Sequence, residues 1–186
     1  MRKTAFIKIA TLTVAGVLSQ GAFAADGTIN FTGEITADAC SVSPNSQNLI
    51  VPLGKVANKW FEGTVAGKAQ VGKKATPAKF TIDLLGCDIT TIKNAAVKFD
   101  GAADLGDATV LRVGAGEATG SGFATGVAIE LGDSSGKKIN LGQSSADYAL
   151  NKGDNSLKFQ AAYVATKDTV TVGPANAIAQ FTIAYK

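Results

Sequence analysis

The clearest pattern along the chain is a two-residue alternation. From Gly27 to Ile35, Ile29, Phe31, Gly33 and Ile35 take every second position, with Asn30, Thr32 and Glu34 between them. A period of two puts these sets on opposite faces of a strand. The run predicts a strand with one apolar face and one wet face. The alternation recurs in Phe80, Ile82 and Leu84 against Thr81 and Asp83, and in Val127, Ile129 and Leu131 against Ala128 and Glu130. Leu157, Phe159, Ala161 and Tyr163 repeat it. Ala177, Ala179, Phe181, Ile183 and Tyr185 carry it almost to the end, with Gln180 and Thr182 opposed and Ile178 and Ala184 blurring the pattern.

Shorter apolar runs fill the intervals. Cys40 to Val42 and Leu49 to Val51 read as one strand interrupted near Pro44. Val97 with Phe99, and Val110 to Val113, are further candidates. Asp133 to Gly136 is a turn signal, after which Ile139 to Leu141 starts a returning strand. Lys152 to Asn155 is another turn. No long segment shows a 3.6-residue apolar period. Many short strands joined by Gly, Asp, Asn and Ser predict an all-β fold, an antiparallel β-sandwich.

Two stretches fit less well. Lys55 to Gly72, with the single tryptophan Trp60, has no clean period and is expected to be a loop with one helical turn. Gly114 to Gly122 is glycine-rich, but no helix pattern follows it and no Lys-Ser/Thr ending completes a phosphate loop. It reads as a strand connector.

The first residues read as an export signal. Arg2, Lys3 and Lys8 precede the apolar run Ile9 to Leu18, and Ala22-Phe23-Ala24 supplies a small-x-small cleavage motif. The run is short of the roughly 20 apolar residues of a membrane span; an interfacial anchor helix is the alternative. Cleavage is expected between Ala24 and Ala25, making residues 1–24 a removed signal peptide. The alternating run then lies at the mature N-terminus, where a chain is loose unless tied to something.

This changes the charge argument. The chain has 18 basic and 15 acidic residues. Taking away the signal's three basic residues leaves 15 against 15, so the mature chain is formally neutral. Nothing then argues for nucleic acid or anionic lipid as partner, nor for direct membrane insertion of the mature chain. Lys73-Lys74 and Lys137-Lys138 read as solvated turns. The two cysteines, Cys40 and Cys87, read as one disulfide in an exported chain. Closing that loop would stabilise the fold by about 4 kcal/mol on the chain-entropy picture.

Catalytic chemistry is poorly represented. The chain has no histidine, so the commonest general base and the Ser-His-Asp arrangement are missing. Paired cysteines leave no thiolate nucleophile and no zinc cluster. Asp100, Asp104 and Asp107 lack the terminal Glu of a calcium loop and read as turn acids. Asn30-Phe31-Thr32 fits a glycosylation sequon but falls on a strand expected to be buried. No enzyme, cofactor or metal is expected.

The ordered pieces resemble the subunits of chaperone–usher pili, and most of all the major pilins of type 1-like fimbriae. They are the signal, the alternating run with its inner Gly33, Ala39-Cys40-Ser41-Val42, Leu53-Gly54-Lys55-Val56, and Phe80 to Leu84 running into Gly86-Cys87-Asp88. Leu157 to Tyr163 and Gly173-Pro174-Ala175-Asn176-Ala177 complete the set, with Gly173 fourteenth from the end and Tyr185 penultimate.

The resemblance implies an incomplete immunoglobulin-like sandwich lacking its final strand. Residues 25–36 would be a donor-strand extension, anchored by Ile29, Phe31, Gly33 and Ile35, and residues 37–186 the pilin domain. Gly173, Ala177, Ala179, Phe181, Ile183 and Tyr185 would form the strand beside the empty groove. A periplasmic chaperone would lend that groove a strand. At the outer-membrane usher, the extension of another subunit would replace it. Strand addition of this kind takes affinity from backbone bonds and specificity from alternate side chains. Each subunit then gives one strand and takes one, a contact that does not close and so makes a filament.

The implied function is a structural subunit of a surface fimbria, supporting adhesion and biofilm formation. A minor adaptor pilin is the rival within the family. A secreted carbohydrate-binding sandwich is the rival outside it, although one Trp and three Tyr offer little aromatic platform.

Overall fold

The computed structural model describes residues 28–30, 32, 33, 35, 38–115 and 122–186. The chain separates into two units, Met1–Thr36 and Ala37–Lys186. In the first, Ile29 and Ile35 are exposed and no described residue lies in a strand. Gly27, Phe31 and Glu34 of the alternating run lie outside the described residues, as do Ala24 and Ala25 of the cleavage motif.

The second unit is built from antiparallel strands. In chain order they are β1 (Ser41–Val42), β2 (Ala78–Cys87), β3 (Asn94–Gly101), β4 (Leu111–Arg112), β5 (Val127–Asp133), β6 (Lys138–Ile139), β7 (Tyr148–Ala149), β8 (Gly153–Ala165) and β9 (Ala179–Tyr185). One sheet runs β1-β2-β8-β5-β4, with β6 also on β5; the other runs β7-β3-β9. Every strand pair is antiparallel.

The alternating side chains account for the packing. Ile82 and Leu84 of β2, Leu157 and Phe159 of β8, and Val97 and Phe99 of β3 are all buried. Phe159 of the larger sheet meets Phe99 of the smaller edge-on at 5.1 Å between ring centroids, and Phe80 and Tyr148 pack at 5.7 and 5.4 Å from Phe159. Edge-to-face pairs of this kind add about 0.5–1.5 kcal/mol each beyond area burial. Cys40 and Cys87 are joined by a disulfide that ties the start of β1 to the end of β2.

Several expectations need correction. Leu49 to Val51 does not continue β1. A four-residue helix, α1 (Pro44–Gln47), follows β1, and residues 48–57 then run without a strand partner. Proline opens that helix at its first turn, where a missing N–H is tolerated. Val110 to Val113 contributes only Leu111 and Arg112 to a strand, because Val110 turns to the outer face of the larger sheet. The returning strand is Lys138–Ile139 rather than Ile139 to Leu141, and the last strand begins at Ala179 rather than Ala177. The turn placed at Lys152 to Asn155 is already the start of β8 beyond Lys152. Strand β7 carried no sequence signal. In Lys55 to Gly72 the one helical turn is a 3-10 turn, Asn58–Phe61.

The lysine pairs are not simply solvated turns. Val110, Ala128 and Val164 form a second small cluster outside the larger sheet. Beside them Glu130 is only 8% exposed. Its carboxylate pairs with Lys74 at 2.5 Å and lies 3.9 Å from Lys138, which also reaches Asp107 at 3.2 Å. A buried carboxylate needs such partners, and one lysine from each pair supplies them. β5 is therefore covered on both faces, although Ala128 and Glu130 read as its wet side.

Candidate assembly groove

The last strand is where the sandwich is unfinished. β9 pairs with β3 along its length, from Ala95 opposite Tyr185 to Gly101 opposite Ala179. No described strand pairs with its other edge. An edge of that kind presents a row of N–H and C=O groups able to accept another strand.

Side-chain burial gives the same result. Phe181, Ile183 and Tyr185 turn inward yet reach only intermediate burial, while Gln180, Thr182 and Ala184 are exposed. On β2, β3 and β8 the inward Ile82, Leu84, Val97, Phe99, Leu157 and Phe159 are buried outright, and the large half-buried exceptions, Phe80 and Tyr163, are the ones that line the cavities beside this edge. The inner face of β9 is therefore covered on one side only.

The opposite lip is the irregular stretch after α1. Leu49, Val51 and Leu53 line a cavity of about 740 Å³ together with Phe181, Phe80 and Leu131. Ile50, between the lining residues, is 91% exposed. A second cavity of about 380 Å³ continues between residues 54–58 and 170–176, with Val56, Phe61, Val127 and Tyr163 among its walls. The larger is an apolar slot beside the start of β9, and the smaller lies beside the segment that leads into that strand.

Residues 173–177 are held at the mouth of the smaller cavity. The Ala124 N–H donates to the Pro174 carbonyl (2.9 Å), and the Gly114 N–H to the Asn176 carbonyl (2.8 Å). The Tyr163 hydroxyl donates to the Ala175 carbonyl (3.1 Å), and burial holds its phenol above the ordinary tyrosine range. Gly173 has φ +154°, and a Cβ there would stand 2.1 Å from the Gly122 carbonyl oxygen. Only glycine fits. At the other end, the Tyr185 hydroxyl donates to the Cys40 carbonyl (3.2 Å), linking β9 to the disulfide. Burial, with Asp38 nearby, raises the Tyr185 phenol too.

Of the expected site residues, Gly173, Ala177, Ala179, Phe181, Ile183 and Tyr185 lie on one lip or its approach. Ala179 is exposed, and Ala177 half-buried in the cavity wall. Ile29, Gly33 and Ile35 belong to the other unit, and Phe31 lies outside the described residues. The lip at residues 49–56 was missed as a lip. Its signal was present, since Leu49, Val51 and Leu53 alternate with Ile50 and Pro52. Among the described residues, no cluster of His, Cys, Asp and Glu could hold a metal, and no helix is long and apolar enough to cross a membrane.

An antiparallel sandwich with an apolar slot along one unpaired edge defines the class: an incomplete immunoglobulin-like sandwich of the pilin kind. The family follows from sequence. The fimbrial protein family model matches residues 29–186. The chain is 39% identical to the long polar fimbria protein A of Salmonella typhimurium, over 100% of this chain and 98% of that one. It is 38% identical to the probable major fimbrial subunit LpfA of Escherichia coli O157:H7, with the same coverage. A solved chaperone–usher pilus structure matches the fold with a TM-score of 0.68 at 24% identity, over 87% of this chain and 96% of that chain. The chain belongs to the fimbrial protein family, whose members are structural subunits and not enzymes.

Proposed function

We propose that this chain is a shaft-building subunit that polymerises head to tail by lending residues 27–35 to the groove of another copy. In this reading Ile29, Phe31 and Ile35 fill the slot beside β9, and Gly33 crosses a shallow point. Before assembly a periplasmic chaperone covers the same slot with a strand of its own, and the outer-membrane usher is where the exchange takes place. The product is an extracellular fimbria that supports attachment and biofilm formation. The observation that carries this reading is the unpaired edge of β9 above an apolar cavity.

The energetics are sufficient. Three large apolar side chains contribute about 1.5–3 kcal/mol each on burial, and each backbone bond adds about 0.5–1.5 kcal/mol. The inserted strand also finishes the acceptor's core, so release requires partial unfolding, and persistence becomes kinetic. The test is removal of residues 25–35 in the cell. The truncated subunit should accumulate folded and build no fibres by electron microscopy. Fibres of normal length from that strain would refute the proposal.

A further inference from the structure

Besides its apolar side chains, the entering segment carries a distinct charge pattern. Residues 25–38 contain Asp26, Glu34 and Asp38 and no lysine or arginine. The irregular lip, residues 49–56, contains Lys55 and no acidic residue, and Lys59 follows in the 3-10 turn. The other lip, residues 171–185, carries no charge, and Lys186 just beyond it is already paired with Asp147. All ionic complementarity between an entering segment and the groove therefore lies on one lip. Lys55 and Lys59 are exposed, and neither joins an ion pair among the described residues, whereas Lys68, Lys74, Lys98, Lys138 and Lys186 do.

Lys55 is placed at a particular point. It lines the smaller cavity next to the half-buried Val56, with Asn176 among the other lining residues. Every strand pair in the fold is antiparallel. A segment laid antiparallel along β9 brings its C-terminal end to residues 173–178, hence to Lys55. Ile29 to Ile35 spans about 20 Å when extended, so a segment with Ile35 over the smaller cavity reaches back past the wall of the larger one to Phe181 at the start of β9. In that direction Ile35 faces the smaller cavity. The residue before it points to the outer face, level with the exposed Lys55, and that residue is Glu34.

We propose that Lys55 pairs with Glu34 of the incoming segment of a second copy and so fixes that segment's direction and register. The inference rests on the groove reading above. A one-residue slip would turn every apolar side chain outward and is excluded by burial. A two-residue slip keeps the faces correct and exchanges one apolar group for another. The charge pair separates these registers, because only one of them sets the acid beside the lysine. Complementary charge also speeds encounter and disfavours wrong pairings.

The test is in vitro assembly of the full mature chain, read as the rate of head-to-tail oligomer formation at low and high salt. Lys55→Glu and Glu34→Lys should each slow assembly about three- to tenfold at low ionic strength. The double variant should recover to within about twofold, and all differences should shrink at high salt. Absence of slowing, or of rescue, would overturn the proposal. Rescue of Lys55→Glu by Asp26→Lys instead of Glu34→Lys would overturn it as well, since the segment would then run the other way. Phe31→Asp separates this inference from the groove reading. If Phe31→Asp assembles at the parental rate, the groove reading itself fails. If Phe31→Asp blocks assembly while the charge variants match the parent, only the Lys55 pairing falls. Urea midpoints should be unchanged by the charge variants. Should Lys55→Glu shift its midpoint, Lys55→Gln carries the test, with a smaller slowing expected and no salt dependence at that lip.

Discussion

Gly173→Ala perturbs the groove at its tightest backbone contact. The added Cβ would meet the Gly122 carbonyl oxygen at 2.1 Å, the Ala124 nitrogen at 2.7 Å and the Phe123 carbonyl carbon at 2.7 Å. All three are backbone atoms, so no side chain can swing aside. Holding a non-glycine residue at φ +154° adds strain of about 1–3 kcal/mol. Relief requires residues 173–176 to move, which weakens the Ala124-to-Pro174 and Gly114-to-Asn176 hydrogen bonds. Each is worth about 0.5–1.5 kcal/mol. The total is about 2–6 kcal/mol. At a urea slope of about 2 kcal/mol/M the midpoint should fall by about 1–3 M, with the slope itself unchanged. Gly54→Ala is the matched control. Gly54 has φ +72° and nothing within 4 Å of the position of a Cβ, so it reports strain alone. Denaturation of the purified monomer, followed by far-ultraviolet circular dichroism, measures both. Equal losses for the two variants, or a Gly173→Ala loss below about 0.5 kcal/mol, would refute the close-approach argument.

Three other outcomes are expected. Lys74→Ala should destabilise the monomer by about 1–3 kcal/mol, because Glu130 keeps its burial and loses its nearest counter-charge while the half-exposed lysine limits the effect; a urea titration checks this. Tyr148, Tyr163 and Tyr185 have phenols raised by burial. A raised folded pKa gives a contribution fully present below the unfolded value near 10 and lost as pH rises through the folded value. Urea midpoints should therefore fall above pH ~10, and Tyr185→Phe should shrink the fall. Gly33→Val should slow strand exchange by about tenfold or more if Gly33 crosses a shallow point of the groove; normal assembly kinetics would remove that idea.

The long strands were legible because their side chains obey one rule throughout. Phe80 to Leu84 and Leu157 to Tyr163 alternate, the final run does so through Phe181, Ile183 and Tyr185 despite Ile178 and Ala184, and β2, β8 and β9 hold them. Strand β7 was illegible since two residues carry no period. The lip at residues 48–58 was misread because alternation in Leu49, Val51 and Leu53 signals a face and not a partner. These side chains line the larger cavity from one side as a strand's would, yet no described strand pairs with them. Glu130 was misread for a related reason. Its place in β5 marks it as outward, and only the tertiary fold brings Lys74 and the Val110 turn over that outward face. Burial on the second side of a sheet leaves no mark in one strand's own pattern.

That second covering bears on how rigidity is distributed. β5 is sealed between the main core and the Val110–Ala128–Val164 cluster, whereas β9 is closed on one flank only. Amide exchange in a lone subunit should therefore be slowest in β5 and fastest along β9. A segment from another copy seated on that flank, as proposed above, should slow exchange along β9 and leave β5 unchanged.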